Sequence, residues 1–378
     1  MRLPPQPTPR PAWQKLTSLR RDGTRPLETG IQVTTASSLN RLPLGAHLVG
    51  SVPLADSESV FREAATRLGS RLRRIPDGET GIRTNWIQWQ WPLLAQVAQL
   101  ETADEEPGPW GPRFKLRDGE SITASDLPDT GYRDAALDSW LVFSRLKHEG
   151  VIAPATRFQV CLPTPLAVTH IRIVPAAQGA VEQAYEDKLL GELDDIVEAI
   201  PADQLAIQWD TAVEFAVLEG LLDTFVADPE PDILDRLLQL GDHVPTDVEM
   251  GYHLCYGDVE HQHFVQPADT GKLVAIANGV AAGLDRPLNW IHMPVPRDRS
   301  DADYFAPLGD LRLHPETELY LGLVHITDGT DGARPRIAAA RRFVDDFGVA
   351  TECGFGRRPA ETIPALLDLH AKVSRLLT

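Results

Sequence analysis

AYEDKLLGELDDIVEAIPADQLAIQWD, residues 184–210, reads as one helix running into one strand. Leu189, Leu190, Leu193, Ile196, Val197 and Ile200 fall at i, i+1, i+4, i+7, i+8 and i+11, a single stripe of an α-helix, and Pro201 stops it. LAIQWD (205–210) follows as a short β-like run ending in a carboxylate. Helical patterns alternating with such runs are the signature of a parallel sheet built from βα units.

Working outward, the same kind of run recurs at GAHLVGS (45–51), RLRRIP (71–76), RFQVCLP (157–163), EMGYHLC (249–255), LNWIHM (288–293), LYLGLV (319–324) and VATECG (349–354). With LAIQWD these make eight, which predicts an α/β chain folded as a single (β/α)8 TIM barrel over residues 41–378. A second clean helical stripe, Ile363, Leu366, Leu367, Val373, Leu376 and Leu377, suits the outer ring. Residues 100–155 form a long excursion between the second and third strands, of the kind that shapes a barrel mouth. Residues 1–40, rich in Pro and Arg and without hydrophobic period, read as an extended N-terminal arm. Its positive charge suits the acidic body or a partner subunit, so a homo-oligomer stays open.

Composition narrows the function. A chain of 378 residues that is 43% hydrophobic can bury a large core. A formal charge of −18 argues against a broad polyanion-binding surface, and so against nucleic acid. Cys161, Cys255 and Cys353 are too few and too scattered for a disulfide framework, which fits a reducing cytoplasm. No apolar run reaches the roughly 18 residues needed to span a bilayer, and the N-terminus has no signal-like apolar region, so a cytoplasmic protein without membrane contact is expected.

Catalytic groups of such barrels come from the C-terminal ends of several strands. Here those ends carry Ser51, Asp77 and Glu79, Pro163 and Thr164, Asp210, His253 with Cys255, His292, His325 with Asp328, and Cys353. Side chains alternate along a strand, so His253 and Cys255 face one way, roughly 7 Å apart at about 3.3 Å per residue. Two such groups can converge on a zinc ion, and Cys353 faces the same mouth. They can equally be buried core residues, as Cys161 in its apolar run is read to be. Glu79 and Asp210 can pair with an ammonium, or form ion pairs with Arg73, Arg74 or Arg83. His261 and His263 offer further ligands or solvated loop side chains, and Arg297 and Arg299 an anion site or a surface ion-pair cluster.

HLCY, the late CG of TECGFGRR, GS-x-P in VGSVP, G-E in PDGET and Q-x-D in IQWD, in that family's order along residues 45–360, resemble the catalytic barrel of cobalamin-independent methionine synthase and the wider barrel group that includes uroporphyrinogen decarboxylase. The resemblance implies zinc bound by His253, Cys255 and Cys353, a substrate thiol held on the metal as thiolate until it takes a methyl group, and Ser51, Glu79 and Asp210 holding the amino-acid part of a small thiol substrate. It also implies a glutamate as fourth ligand; His292 stands at that place. The family's D-x-H acid is displaced as well: this chain reads GLVHITDG, so His325, with Asp328, is the candidate acid/base. Two imidazoles in place of one imidazole and a carboxylate lower the ligand charge, making a bound thiolate less nucleophilic and the metal a better Lewis acid. The expected activity is zinc-dependent methyl transfer to a small thiol. The alternatives are a metal-dependent lyase or hydrolase on the same barrel, and a binding protein with a vestigial site.

Because the arm offers no periodic apolar face, deletion of residues 1–35 is expected to leave the melting temperature unchanged. A loss of many degrees on thermal melting would show that the arm docks.

Overall fold

The structure, a computed structural model, describes residues 45–108, 110–258 and 262–377. The expected arm, residues 1–40, lies outside the described residues, as does His261. The strands are β1 (Arg74–Pro76), β2 (Leu100–Thr102), β3 (Phe114–Leu116), β4 (Arg157–Pro163), β5 (Leu205–Asp210), β6 (Glu249–His253), β7 (Trp290–Pro294), β8 (Glu318–Gly322) and β9 (Gly348–Val349). Seven of them form one parallel sheet in the order β1-β4-β5-β6-β7-β8-β9, while β2 and β3 pair antiparallel within the excursion. Every parallel connection carries a helix, as one-directional pairing requires a crossover.

The opening stretch folds as it reads. Its helix begins earlier, at Pro175, whose missing N–H costs nothing in the first turn, and runs to Ala199. Leu189, Leu193 and Ile196 are buried against the sheet while Leu190 and Val197 lie at the stripe's half-buried edge. Burial of each large aliphatic side chain contributes about 1.5–3 kcal/mol.

Several strands are shorter than their runs. Of residues 45–51 only Ala46 bridges, in parallel, to Leu72 on one side and Val349 on the other. The carbonyls of Leu48 and Val49 accept instead from the buried Gln159 amide, and that of Val49 from Gln208 as well. The second run forms a strand only over Arg74–Pro76, with Leu72 bridging to Ala46 ahead of it. β6 stops at His253 and β9 at Val349, so Cys255 and Cys353 stand in loops beyond the strands rather than on them. Glycine turns lead both loops out of the ladder: Gly257 has φ +76°, and a Cβ on Gly356 would sit 2.2 Å from the Thr84 carbonyl.

Inside the curled sheet a buried cation ties distant strands together. Arg74 on β1 is 2% exposed. Its guanidinium reaches Glu318 on β8 and Glu249 on β6, each at 3.0 Å, and lies 4.1 Å over the Trp290 ring on β7. Trp290 fills space that Gly251 leaves open: a Cβ there would come within 2.2 Å of the indole.

Arg74→Met is therefore expected to cost about 3 kcal/mol, the low end for breaking a buried ion pair, because Arg73 still reaches Glu318. Urea unfolding of the two proteins measures it.

Candidate functional site

The turn after β1 sets the first functional side chain. In PDGETG, Gly78 has φ +83° and Glu79, a residue with a Cβ, is held at φ +44°. The Asp77 carboxylate stabilises that turn. It accepts from the Glu79 amide at 2.8 Å, the Ser139 hydroxyl at 3.1 Å and Arg83 at 2.6 Å. Asp77 is thus a turn organiser, and it takes Arg83 away from Glu79. Arg73 and Arg74 are taken by Glu318 and Glu249, so among the described residues Glu79 has no ion-pair partner within 4.0 Å.

Six of the expected residues line one cavity of about 260 Å³: Ser51, Glu79, Asp210, His253, Cys255 and Cys353. The volume lies below the roughly 300–1,000 Å³ of clefts for drug-sized ligands and suits one small molecule. Trp86 and Trp91 from the segment after β1, Trp110 from the excursion, and Phe264 supply an aromatic wall that the sequence reading did not assign. Register places Asp210 opposite His253, at the C-terminal ends of β5 and β6. Asp210 accepts from Gln208 at 2.8 Å. Ser51 packs under the glycine turn after Cys353: its hydroxyl accepts from the Gly356 amide at 3.2 Å and its carbonyl from Phe355 at 2.6 Å.

One ring nitrogen of His253 and the sulfurs of Cys255 and Cys353 all lie within 4.8 Å of one another. His253 Nε2 is buried and, among the described residues, has no hydrogen-bond partner. An orphaned imidazole nitrogen beside two thiols fits a soft divalent metal such as zinc. The Cys255 thiol donates toward Cys353, which, with the Arg357 guanidinium, lowers the Cys353 pKa; the same hydrogen bond and burial raise that of Cys255. Arg357, four residues after Cys353, was missed in the sequence. Its Nη2 lies 2.7 Å from Asp258 and 3.5 Å from the Cys353 sulfur. The doubled arginine of CGFGRR was the available signal.

The remaining expected residues are placed elsewhere. His292 uses both ring nitrogens, Nδ1 at 2.6 Å from His253 Nδ1 and Nε2 at 3.0 Å from the Thr351 carbonyl, and does not enter the donor group. His325 donates to the Val295 carbonyl at 2.9 Å and has Nδ1 3.5 Å from Glu352, outside the cavity lining. Asp328 forms a two-point ion pair with the buried Arg336, at 2.7 and 2.8 Å, and also stays out of the cavity. His263 sits 3.2 Å from Glu352, and Arg299 binds Asp301 and the carbonyls of Pro267 and Ala268. Cys161 is buried and donates to the Val49 carbonyl at 3.3 Å, as a core thiol would.

No family model and no curated protein matches the sequence. Two solved structures share the fold. One, from Listeria monocytogenes and provisionally named a vitamin-B12-independent methionine synthase, aligns with a TM-score of 0.52 at 14% identity over 89% of this chain and 98% of its own. The other, a B12-independent methionine synthase from Shewanella sp. W3-18-1 in complex with selenomethionine, gives 0.51 at 12% identity over the same shares. At these identities the likeness is one of fold. No helix among the described residues is long and apolar enough to cross a membrane.

Burial pushes Glu79 up to about 8, Asp77 and Cys353 adding to the effect while Arg83 and Arg357 oppose it. A carboxyl raised in the folded state keeps a proton that the unfolded chain has lost, so stability falls as pH rises from about 4.5 to about 8, by up to about 1.4 kcal/mol per pH unit. Glu79→Gln removes this slope. The variant is expected to gain stability over wild type at pH 8 but not at pH 4, read by urea unfolding at both values.

Proposed function

We propose that this chain is a zinc-dependent enzyme of the methionine synthase-like barrel group that transfers a methyl group to a small thiol. The single observation that carries the reading is a His253 ring with an unpartnered Nε2, one of its nitrogens within 4.8 Å of two thiols, in a cavity that also holds two carboxylates with no ion-pair partner among the described residues. In this reading the 45–51 segment, bridged at Ala46 to both Leu72 and Val349, takes the eighth place of a closed barrel.

Zinc held by His253, Cys255 and Cys353 would supply the Lewis acidity that keeps a thiol ionised near neutral pH. The chain's own groups do the rest. Burial raises both Glu79 and Asp210, so each carboxylate gains from a cation brought into the cavity. A substrate ammonium meets that need, and its thiol end is thereby directed to the donor group. The Trp86, Trp91 and Trp110 wall offers an apolar aromatic face to a methyl donor that approaches the bound thiol. In the transfer the sulfur–carbon bond forms as the donor's bond to methyl breaks, the donor leaving with the electron pair. The selenomethionine in the Shewanella structure supports an amino acid carrying a methylated chalcogen as ligand. His325 and Asp328 have no assigned step here, since both are committed to the scaffold.

A second reading, a lyase or hydrolase in which the metal polarises a carbonyl or water, is favoured by one observation: among the described residues no carboxylate stands with the three donors, which leaves ligand charge low. Product analysis with thiol acceptors separates the two. The arm's charge keeps a homo-oligomer in view, and a cytoplasmic setting accords with three free cysteines.

The purified protein is expected to hold about one zinc per chain, retained in Asp210→Asn and lost in Cys255→Ser and Cys353→Ser. Elemental analysis after mild chelation and reconstitution checks this. Metal content near zero in wild type under both conditions would leave the vestigial-site reading.

A further inference from the structure

His292 occupies the place where the family resemblance implies a ligand, yet its ring is engaged at both ends. The Thr351 carbonyl, 3.0 Å from His292 Nε2, can only accept a hydrogen bond, so Nε2 carries the proton. The ring is fully buried and, among the described residues, has no carboxylate against it, so it carries a single proton. Its Nδ1 therefore offers a lone pair, and the group 2.6 Å away, His253 Nδ1, must donate. That leaves His253 Nε2 unprotonated, and among the described residues this atom has no hydrogen-bond partner. Proton placement along this relay is fixed at one end by a backbone carbonyl.

Strand register makes the relay short. His253 on β6 and His292 on β7 are direct Cα partners, with ring centroids 4.7 Å apart. Thr351 lies two residues before Cys353, and its hydroxyl donates to the Cys353 carbonyl at 2.7 Å. The relay thus joins the segment that carries one donor to the ring that carries another.

We propose that His292 is a positioning residue and not a ligand: it fixes His253 in the Nδ1–H tautomer, aims Nε2 at the two thiols, and leaves a metal there with three protein ligands and an open fourth position. The inference rests on the metal reading above for its function but on hydrogen-bond geometry alone for the tautomer. Partners that orient a ligating histidine are worth roughly 10–100-fold in metal affinity.

Two measurements test it. Nitrogen-15 NMR of the histidine rings in the metal-free protein is expected to show His253 as the Nδ1–H tautomer in wild type. His292→Gln, whose amide can accept and donate in the same places, keeps it, and His292→Ala loses it. X-ray absorption of the zinc-loaded wild type is expected to show two sulfurs and one imidazole. Competition with a chelator should find His292→Ala roughly 10–100-fold weaker and His292→Gln near wild type. An Nε2–H tautomer of His253, two imidazoles on the metal, or equal zinc affinity in wild type and His292→Ala would overturn the proposal. Absence of zinc binding together with the Nδ1–H tautomer would sustain the assignment of His292 and remove the metal reading instead.

Discussion

A charge buried in a low-dielectric interior must be paired, and Arg74 meets that constraint by reaching across the curl of the sheet to Glu318 and Glu249. The requirement propagates upward. Trp290, stacked on the guanidinium, needs the space that Gly251 vacates, and its indole N–H lies 3.4 Å from the Gln208 amide oxygen. Gln208 in turn contacts His47 at 2.8 Å and holds the Val49 carbonyl and Asp210 through its amide nitrogen. One polar ladder therefore runs from the N-terminal ends of the strands to the cavity. Each rung satisfies a group that would otherwise be buried without a partner.

At the upper end the balance is reversed. Among the described residues Glu79 and Asp210 have no ion-pair partner, and burial raises both. His253 and His292 are buried neutral, with lowered pKa values. The cavity is therefore short of positive charge, and Arg357, already beside Asp258 and Cys353, is the cation that lines it. Such a site gains electrostatic energy from a metal at one end and an ammonium at the other. A polyanion would gain none.

The glutamate beside Cys353 shows how close scaffold and site lie. Burial pushes Glu352 up to about 8, and His263 and His325 stand against its two oxygens. Both histidines, lowered to about 4 by burial, are neutral partners of a carboxyl group rather than members of the cavity. The strand-end position that made His325 conspicuous in the sequence is occupied, but its ring points into the packing behind the Cys353 loop.

The sequence by itself determined the parallel βα alternation, the excursion between strands, and a set of strand-end candidates of which six line the cavity. These follow from local pattern: apolar periodicity selects helix or strand, and a polar residue at a strand's C-terminal end has few places to go but the mouth. Tertiary structure alone decided the partners. Periodicity says which face a side chain takes but not which atom stands opposite, and that depends on strand register and on the geometry of the loops. So His292 met His253 and Thr351, Asp328 met Arg336, Arg83 met Asp77 and not Glu79, and Cys255 and Cys353 converged from loops beyond the strands. A hydrogen bond needs a partner within about 3 Å at a suitable angle, a condition set only once the chain is folded.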